Sequence, residues 1–250
     1  MQQESFAPPP SLDDLLDRGP VALFLDFDGT LVEIAPTHDS IEVHVGLPRE
    51  LEELSARLDG RLALVSGRSL ENLASYIGHI AIAQAGSHGA DCRLADSTRI
   101  GTNPRKLSSA IRADLEILVS QHSGASLETK SHGAAIHYRA RPEIEGDVVA
   151  AAQAIAKDRG LSVKRGKSVI ELLANSTDKG DAVRALIAHA TFAGSRPLFV
   201  GDDLTDEDGF AAVKEFEGLG VLVGGSRESE ACYRLSDPHD VHQWLGLELE

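Results

Sequence analysis

The run Val21-Ala22-Leu23-Phe24-Leu25 is apolar at every position and leads straight into Asp26-Phe27-Asp28-Gly29-Thr30-Leu31. An uninterrupted apolar stretch bounded by polar loop residues reads as a strand buried on both faces, which places it inside a parallel sheet. Two carboxylates where such a strand emerges repel each other in low dielectric unless a cation or a shared proton relieves them. A hard divalent ion such as Mg²⁺ is the usual remedy, because it takes oxygen ligands and tolerates phosphate as a co-ligand. The same letters also fit an ordinary strand closed by an acidic turn, since Asp-Gly is a common turn pair.

The periodicities along the chain extend the pattern. Leu47 to Leu58 reads as an amphipathic helix with Pro48 in its first turn, and Arg61 to Val65 as a short strand ending in Ser66-Gly67-Arg68. Ser69 to Tyr76 is expected to be helical and Ile80 to Ala85 extended. The alternation returns late, with a helix over Gly180 to Ala193, a strand over Pro197 to Val200, and a helix over Glu207 to Phe216. A strand over Leu219 to Val223 and a last helix near Val241 to Leu245 complete it. Strands and helices in alternation predict an α/β fold, a Rossmann-like doubly wound parallel sheet. The middle differs. Leu107 to Gln121 and Pro142 to Arg159 read as helices, each followed by a pair of strands: Ala125–Lys130 with Ala134–Tyr138, and Leu161–Lys164 with Ser168–Leu173. This αββαββ order predicts an α+β module over 104–173, inserted into an α/β core over 20–103 and 174–250, with 1–19 a flexible, proline-rich lead-in.

Composition limits the partners. The formal charge of −15 argues against nucleic acid or an anionic membrane, and no apolar run approaches the ~20 residues a bilayer requires. Cys92 and Cys232 are far apart and lack metal-ligand spacing, which fits two thiols in a reducing compartment. The N-terminus has neither the basic start nor the apolar stretch of a secretory signal. A soluble, cytoplasmic monomer acting on a small molecule is expected. Net charge also divides the chain: +3 over residues 104–173 against −18 over the rest, an acidic core suited to a cation and a mildly basic module suited to an anion.

Three further features fall at predicted strand ends, where open α/β sheets place their sites. The hydroxyl of Ser66 and the backbone N–H groups that follow it can receive phosphate oxygens. Lys179, after the N-capping Asp178, begins the late helix and brings an ammonium group. Gly201-Asp202-Asp203-Leu204-Thr205-Asp206-Glu207-Asp208 carries five carboxylates within seven residues, more than one loop holds without a metal or wide exposure. Each has a duller reading as a turn, a surface lysine or a capping cluster. Their joint occurrence, in this order, is what carries the inference.

These motifs resemble the four signatures of the haloacid dehalogenase-like phosphatases: Asp26-Phe27-Asp28-Gly29-Thr30, Ser66, Lys179 and Gly201-Asp202-Asp203. Within that superfamily the chain is most similar to the trehalose-6-phosphate phosphatases, over about residues 21–245. The narrower matches are Gly86-Ser87-His88-Gly89-Ala90-Asp91, Leu127-Glu128-Thr129-Lys130 with His137-Tyr138-Arg139, and Gly201 through Phe210. Two departures stand out. Ile170-Glu171 is followed by Leu172-Leu173-Ala174 where the family often has a basic residue and proline, and Asp91 stands where glutamate is common. The resemblance implies Mg²⁺ held by Asp26, Asp28 through its backbone carbonyl, and Asp202, with Asp203 acting through water or orienting Lys179. It implies Asp26 as nucleophile, Asp28 as general acid and base, and phosphoryl oxygens bound by Ser66, Gly67 and Lys179. Substrate contacts would come from Arg68, His88, Glu128, Lys130, His137, Arg139 and Glu171, the last five on the inserted module. Another sugar phosphate such as sucrose phosphate or a mannosyl phosphoglycerate, a phosphomutase, or a sugar-phosphate sensor without catalysis are the competing readings.

Overall fold

The computed structural model describes residues 6–34, 41–101, 106–129, 133–166, 168–174 and 177–248. The chain divides into two units, Met1–Thr102 with Thr177–Glu250, and Asn103–Ser176. The elements are, in order, α1 (Leu12–Leu16), β1 (Val21–Leu25), α2 (Leu47–Arg57), β2 (Leu62–Val65), α3 (Leu70–Ile77), β3 (Ala83–Gly86), β4 (Asp91–Arg93) and β5 (Arg99–Ile100). The second unit then contributes α4 (Ser109–Gln121), β6 (Ser126–Thr129), β7 (Gly133–His137), α5 (Glu145–Arg159), β8 (Ser162–Gly166) and β9 (Val169–Leu173). The first resumes with α6 (Lys179–Ile187), β10 (Arg196–Gly201), α7 (Glu207–Glu215), β11 (Leu219–Val223), β12 (Tyr233–Leu235) and α8 (Pro238–Leu245).

All five residues of β1 are buried, and the strand pairs in parallel with both β10 and β2, which makes it the centre of the sheet. The eight strands run β12-β11-β10-β1-β2-β3-β4-β5; those from β12 to β3 are parallel, and β4 and β5 add an antiparallel edge. Period-two alternation sends successive side chains to opposite faces, so an all-apolar strand needs a core on each side. Val21, Leu23 and Leu25 join one core with leucines of α2, α3 and α8; Ala22 and Phe24 join the other with α6 and α7. Phe24 stacks on Phe192, and Phe199 meets the edge of Phe210, filling the second core. The doubly wound parallel sheet follows directly from this pattern.

The second unit is built on a different rule. Its four-stranded antiparallel sheet, β6-β7-β9-β8, has one apolar and one mixed face. Ala134, Ile136, Ile170 and Leu172 pack with Leu115, Leu118, Val148 and Ala152 of α4 and α5. The alternate residues form the row Glu128, Ala135, Glu171 and Lys164 across the four strands.

Some expectations are corrected. Residues 6–19 are not a flexible lead-in: Ser11 caps α1, Leu12 and Leu15 are buried in the first core, and the Trp244 indole N–H donates to the Pro10 carbonyl at 2.8 Å. Burial of two leucines offsets the cost of ordering so short a helix. The late helix ends at Ile187 rather than Ala193, because His189 and Phe192 donate back across three residues in successive turns. The short edge strands β4, β5 and β12 were not foreseen. Arg139 lies past the end of β7, in the turn closed by the Arg141 N–H on the Tyr138 carbonyl.

Leu15→Ala is expected to cost about 2 kcal/mol, measured by urea unfolding of the full chain. A change near zero would mean that the N-terminal helix frays at no cost to the core.

Candidate active site

The site is built where β1, β2, β3 and β10 end, the location at which open α/β sheets expose their loop backbone to ligands. The Asp26 N–H still belongs to the sheet, donating to the Val200 carbonyl at 2.9 Å, so its side chain leaves from a fixed backbone. A tight turn follows, with the Leu31 N–H on the Phe27 carbonyl at 2.9 Å and the Gly29 N–H on the Val32 carbonyl at 2.7 Å. Gly29 has φ +77°, and a Cβ there would sit 2.2 Å from Asp202 Oδ2, so only glycine lets the two acidic loops close on each other.

Lys179 is the hub. It is the first residue of α6, whose N-cap Asp178 and Asp181 form a reciprocal capping box that fixes where the helix begins. Its ammonium lies 2.7 Å from Asp26 Oδ1 and 2.6 Å from Asp206 Oδ1, and all three side chains are at most 5% exposed. One oxygen from each of Asp26, Asp202 and Asp206 lies within 4.8 Å of the others. Burial, then the neighbouring Asp206, pushes the Asp26 carboxyl well above the usual range, with Lys179 opposing. Burial and the Asp206 and Asp203 carboxylates push Asp202 up to about 7. Burial disfavours the Lys179 ammonium, but Asp206 and Asp26 outweigh it and raise its pKa.

Asp206 is the residue that sequence reasoning missed. Its second oxygen accepts from the Asp202 N–H at 3.0 Å and the Asp203 N–H at 2.9 Å, so it organises the whole acidic loop. Asp206 takes the place beside Lys179 that was one of the two expected for Asp203, which caps the following turn, its Oδ1 accepting from the Leu204 N–H at 2.7 Å. Asp203 and Asp206 form a capping box, a signal readable from their three-residue spacing.

Asp28 is paired separately. Arg68 donates to both of its oxygens, at 2.7 and 2.6 Å, and also to Asn72 Oδ1 at 2.8 Å. The guanidinium lies 5.1 Å from the Tyr76 ring centroid. Arg68 was expected to touch substrate; in this structure its buried guanidinium holds Asp28. Ser66 is fully buried at the end of β2, and its Oγ accepts from the Arg68 N–H at 3.1 Å. His88 folds over Gly67, where a Cβ would lie 2.6 Å from the imidazole, and its N–H donates to the Ser66 carbonyl at 2.9 Å. Ser87 and His88 both hold left-handed backbone conformations, strain of the kind that collects at functional sites.

In the second unit, His137 Nε2 and Glu128 Oε2 are 2.8 Å apart on neighbouring strands, and Glu171 lies across β7 from Glu128. Arg139 is exposed. Lys130 lies outside the described residues. Leu172 and Leu173, where the family often has a basic residue and proline, are both buried.

A family model described as trehalose-phosphatase matches residues 24–239. The chain belongs to the trehalose-phosphatase family. It is therefore a phosphoric monoester hydrolase. It is 38% identical over 228 residues to the trehalose-6-phosphate phosphatase of Escherichia coli, covering 90% of this chain and 85% of that one. The fold matches the C-terminal domain of the trehalose-6-phosphate phosphatase of C. albicans with a TM-score of 0.75, at 24% identity and 98% coverage of both chains. It also matches a phosphatase of the haloalkanoate (HAD) superfamily from Bacteroides thetaiotaomicron, with a TM-score of 0.63 at 16% identity, covering 91% of this chain and 93% of that one. The core-plus-insert architecture is thus that of the HAD fold. Among the described residues no helix is long and apolar enough to cross a membrane.

The donor set fits a hard divalent cation. Three carboxylates and one ammonium leave two negative charges uncompensated when all are ionised, the charge that one such ion supplies. Without a cation Asp202 holds its proton at a higher pH when folded than when unfolded, so the folded state binds more protons between about pH 4 and 7 and its stability falls as pH rises through that window. In chelator, the melting temperature of Asp202→Asn relative to wild type is expected to climb from pH 5 to pH 7, and saturating Mg²⁺ should abolish the climb. A pH-independent difference in chelator would refute the electrostatic account.

Proposed function

We propose that the chain hydrolyses trehalose 6-phosphate to trehalose and phosphate, the last step of trehalose synthesis, through an aspartyl-phosphate on Asp26 and with Mg²⁺ as cofactor. The observation that supports this reading best is the Asp26 carboxylate: buried at the end of the central strand, hydrogen-bonded by Lys179 and grouped with two more carboxylates, in a chain of the trehalose-phosphatase family. Compensated by Lys179 and a divalent cation, the buried Asp26 carboxylate is anionic at neutral pH, and a carboxylate leaves from an acyl phosphate as readily as it attacks. Asp26 attacks phosphorus; the bond from phosphorus to the sugar oxygen breaks, and Asp28 gives that oxygen its proton. Asp28 then takes a proton from the water that attacks the acyl phosphate, and phosphate leaves. Arg68 donates to both Asp28 oxygens in this structure, so one of the two bonds opens when Asp28 carries the proton it transfers, while the other keeps the carboxyl oriented.

Asp26, Asp202 and the Asp28 carbonyl would hold Mg²⁺, which supplies charge compensation for the phosphoryl oxygens. Asp206, with its oxygens committed to Lys179 and two backbone amides, shapes the loop around them. Ser66 and the backbone N–H of Gly67, with Lys179, receive the phosphoryl oxygens as charge spreads over them in the transition state. Leaving-group selection belongs to the second unit, through Glu128, Glu171, His137 and Arg139, with Lys130 between them in sequence. Carboxylates accept from sugar hydroxyls and the cationic side chains donate to them.

The test is phosphate release from a panel with Mg²⁺: trehalose 6-phosphate, glucose 6-phosphate, sucrose 6-phosphate and mannosyl-3-phosphoglycerate. Turnover of the first well above the rest is expected, and Asp26→Asn should lower it by about 10⁴-fold or more with no hydroxylamine-sensitive phosphoenzyme. Preference for another member of the panel would overturn the substrate, and an active Asp26→Asn the mechanism. Glu171→Ala should raise KM for trehalose 6-phosphate about tenfold, the worth of one hydrogen bond to a charged group, while hydrolysis of p-nitrophenyl phosphate stays unchanged. Equal losses on both substrates would assign Glu171 to the fold instead.

A further inference from the structure

The acidic loop after β10 is also gripped by a residue outside the matched motifs. Arg227, in the loop between β11 and β12, donates through Nη2 to the Asp203 carbonyl at 2.8 Å and to the Asp202 carbonyl at 3.5 Å. Its Nη1 donates to the Glu228 carbonyl at 3.2 Å and is ion-paired with Glu207, the first residue of α7. Glu207 in turn accepts from the Ser229 hydroxyl, at 2.8 and 3.1 Å to its two oxygens, and from the Glu230 N–H at 2.8 Å. Arg227 and Glu207 are each only about a quarter exposed. The 227–230 loop is thus bolted to α7 through Glu207, and the guanidinium reaches from it to two consecutive carbonyls.

The Asp202 and Asp203 amides already donate to Asp206. With the two carbonyls held by Arg227, both polar edges of this short backbone stretch are fixed, and with them the direction in which the Asp202 side chain leaves. We propose that Arg227 is a positioning residue for the divalent-cation site: it touches no ligand atom, and it sets the aim of Asp202 through the backbone. The inference rests on the reading of Asp26, Asp202 and the Asp28 carbonyl as that site.

The proposal has a sign that a simple charge effect lacks. A guanidinium beside a cation site repels the cation, so by field alone its removal would tighten binding. By positioning, removal loosens it. Arg227→Lys separates the two further, because lysine keeps the charge but cannot span Glu207 and both carbonyls as a planar fork does.

The experiment is a titration of the full chain with Mn²⁺ in the absence of substrate, followed by the loss of the free-ion electron paramagnetic resonance signal, for wild type, Arg227→Met and Arg227→Lys. Melting temperatures in chelator check folding. Loss of an outer-shell partner typically weakens metal affinity by 10–100-fold, and we expect Kd to rise about tenfold in both variants. An unchanged Kd, or tighter binding in Arg227→Met, would overturn the role of Arg227 while leaving the site intact. A flat wild-type titration would instead overturn the cation site, and the inference with it. If Arg227→Met does not fold, Arg227→Lys carries the same test.

Discussion

The contact on which the site depends is the Lys179 ammonium between Asp26 and Asp206. It joins three separate parts of the chain: the end of the central strand, the first residue of α6, and the loop after β10. All three side chains are withdrawn from water, and an unpaired charge at any of them would carry a desolvation penalty of several kcal/mol. One cation shared between two carboxylates removes most of that penalty but leaves the group negative. The residual charge suits the group to a cation, and beside it burial, then the Asp206 and Asp203 carboxylates, push the Asp202 carboxyl up to about 7. Removing Lys179 would therefore leave Asp26 and Asp206 as two uncompensated buried charges, a structural as well as a chemical loss.

The two carboxylates of the first motif, two residues apart, are separated by their partners rather than by distance along the chain. Asp26 is tied to a lysine from α6; Asp28 is tied to an arginine that follows β2 and is backed by Asn72 and Tyr76 of α3. A nucleophile and an acid–base group need different environments if one is to stay ionised while the other exchanges a proton. For the roles proposed for Asp26 and Asp28, those environments come from different elements: Lys179 from the first position of α6, and Arg68 from the loop after β2.

How much of this was legible in the sequence differs element by element. The central strand was, because a run with no polar position admits only a strand covered on both sides, and the structure splits it residue by residue between two cores. The inserted α+β order was legible for the same reason of periodicity. α1 was hidden by the prolines ahead of it, although Ser11 followed by Leu-Asp-Asp-Leu-Leu is a capped amphipathic turn in miniature. The edge strands β4, β5 and β12 carry no periodicity, since strands of two or three residues are defined by the neighbour they pair with. In the site, the wrong aspartate was given to Lys179. Local sequence offers Asp203 and Asp206 equally; what decides is that Asp203 spends its side chain on the turn it caps, which leaves Asp206 to face inward. Arg68 shows the same limit: the resemblance implied a substrate contact, and only the fold reveals Asp28 opposite it.

The division of labour proposed for the two units, phosphoryl transfer on the first and sugar recognition on the second, follows from the same physics. The charge that holds a metal and a phosphoryl group must be buried and fixed, so it is built on the ends of central strands whose backbone cannot move. Recognition of sugar hydroxyls needs many modest polar contacts, which suit the mixed face of an antiparallel sheet with helices on only one side. The row Glu128, Ala135, Glu171 and Lys164 is such a face, with a small residue between two carboxylates and a lysine at its end. A change of substrate within the family would then alter this row and leave Asp26, Lys179 and Asp206 untouched, because the reacting phosphoryl group presents the same charge whatever sugar carries it.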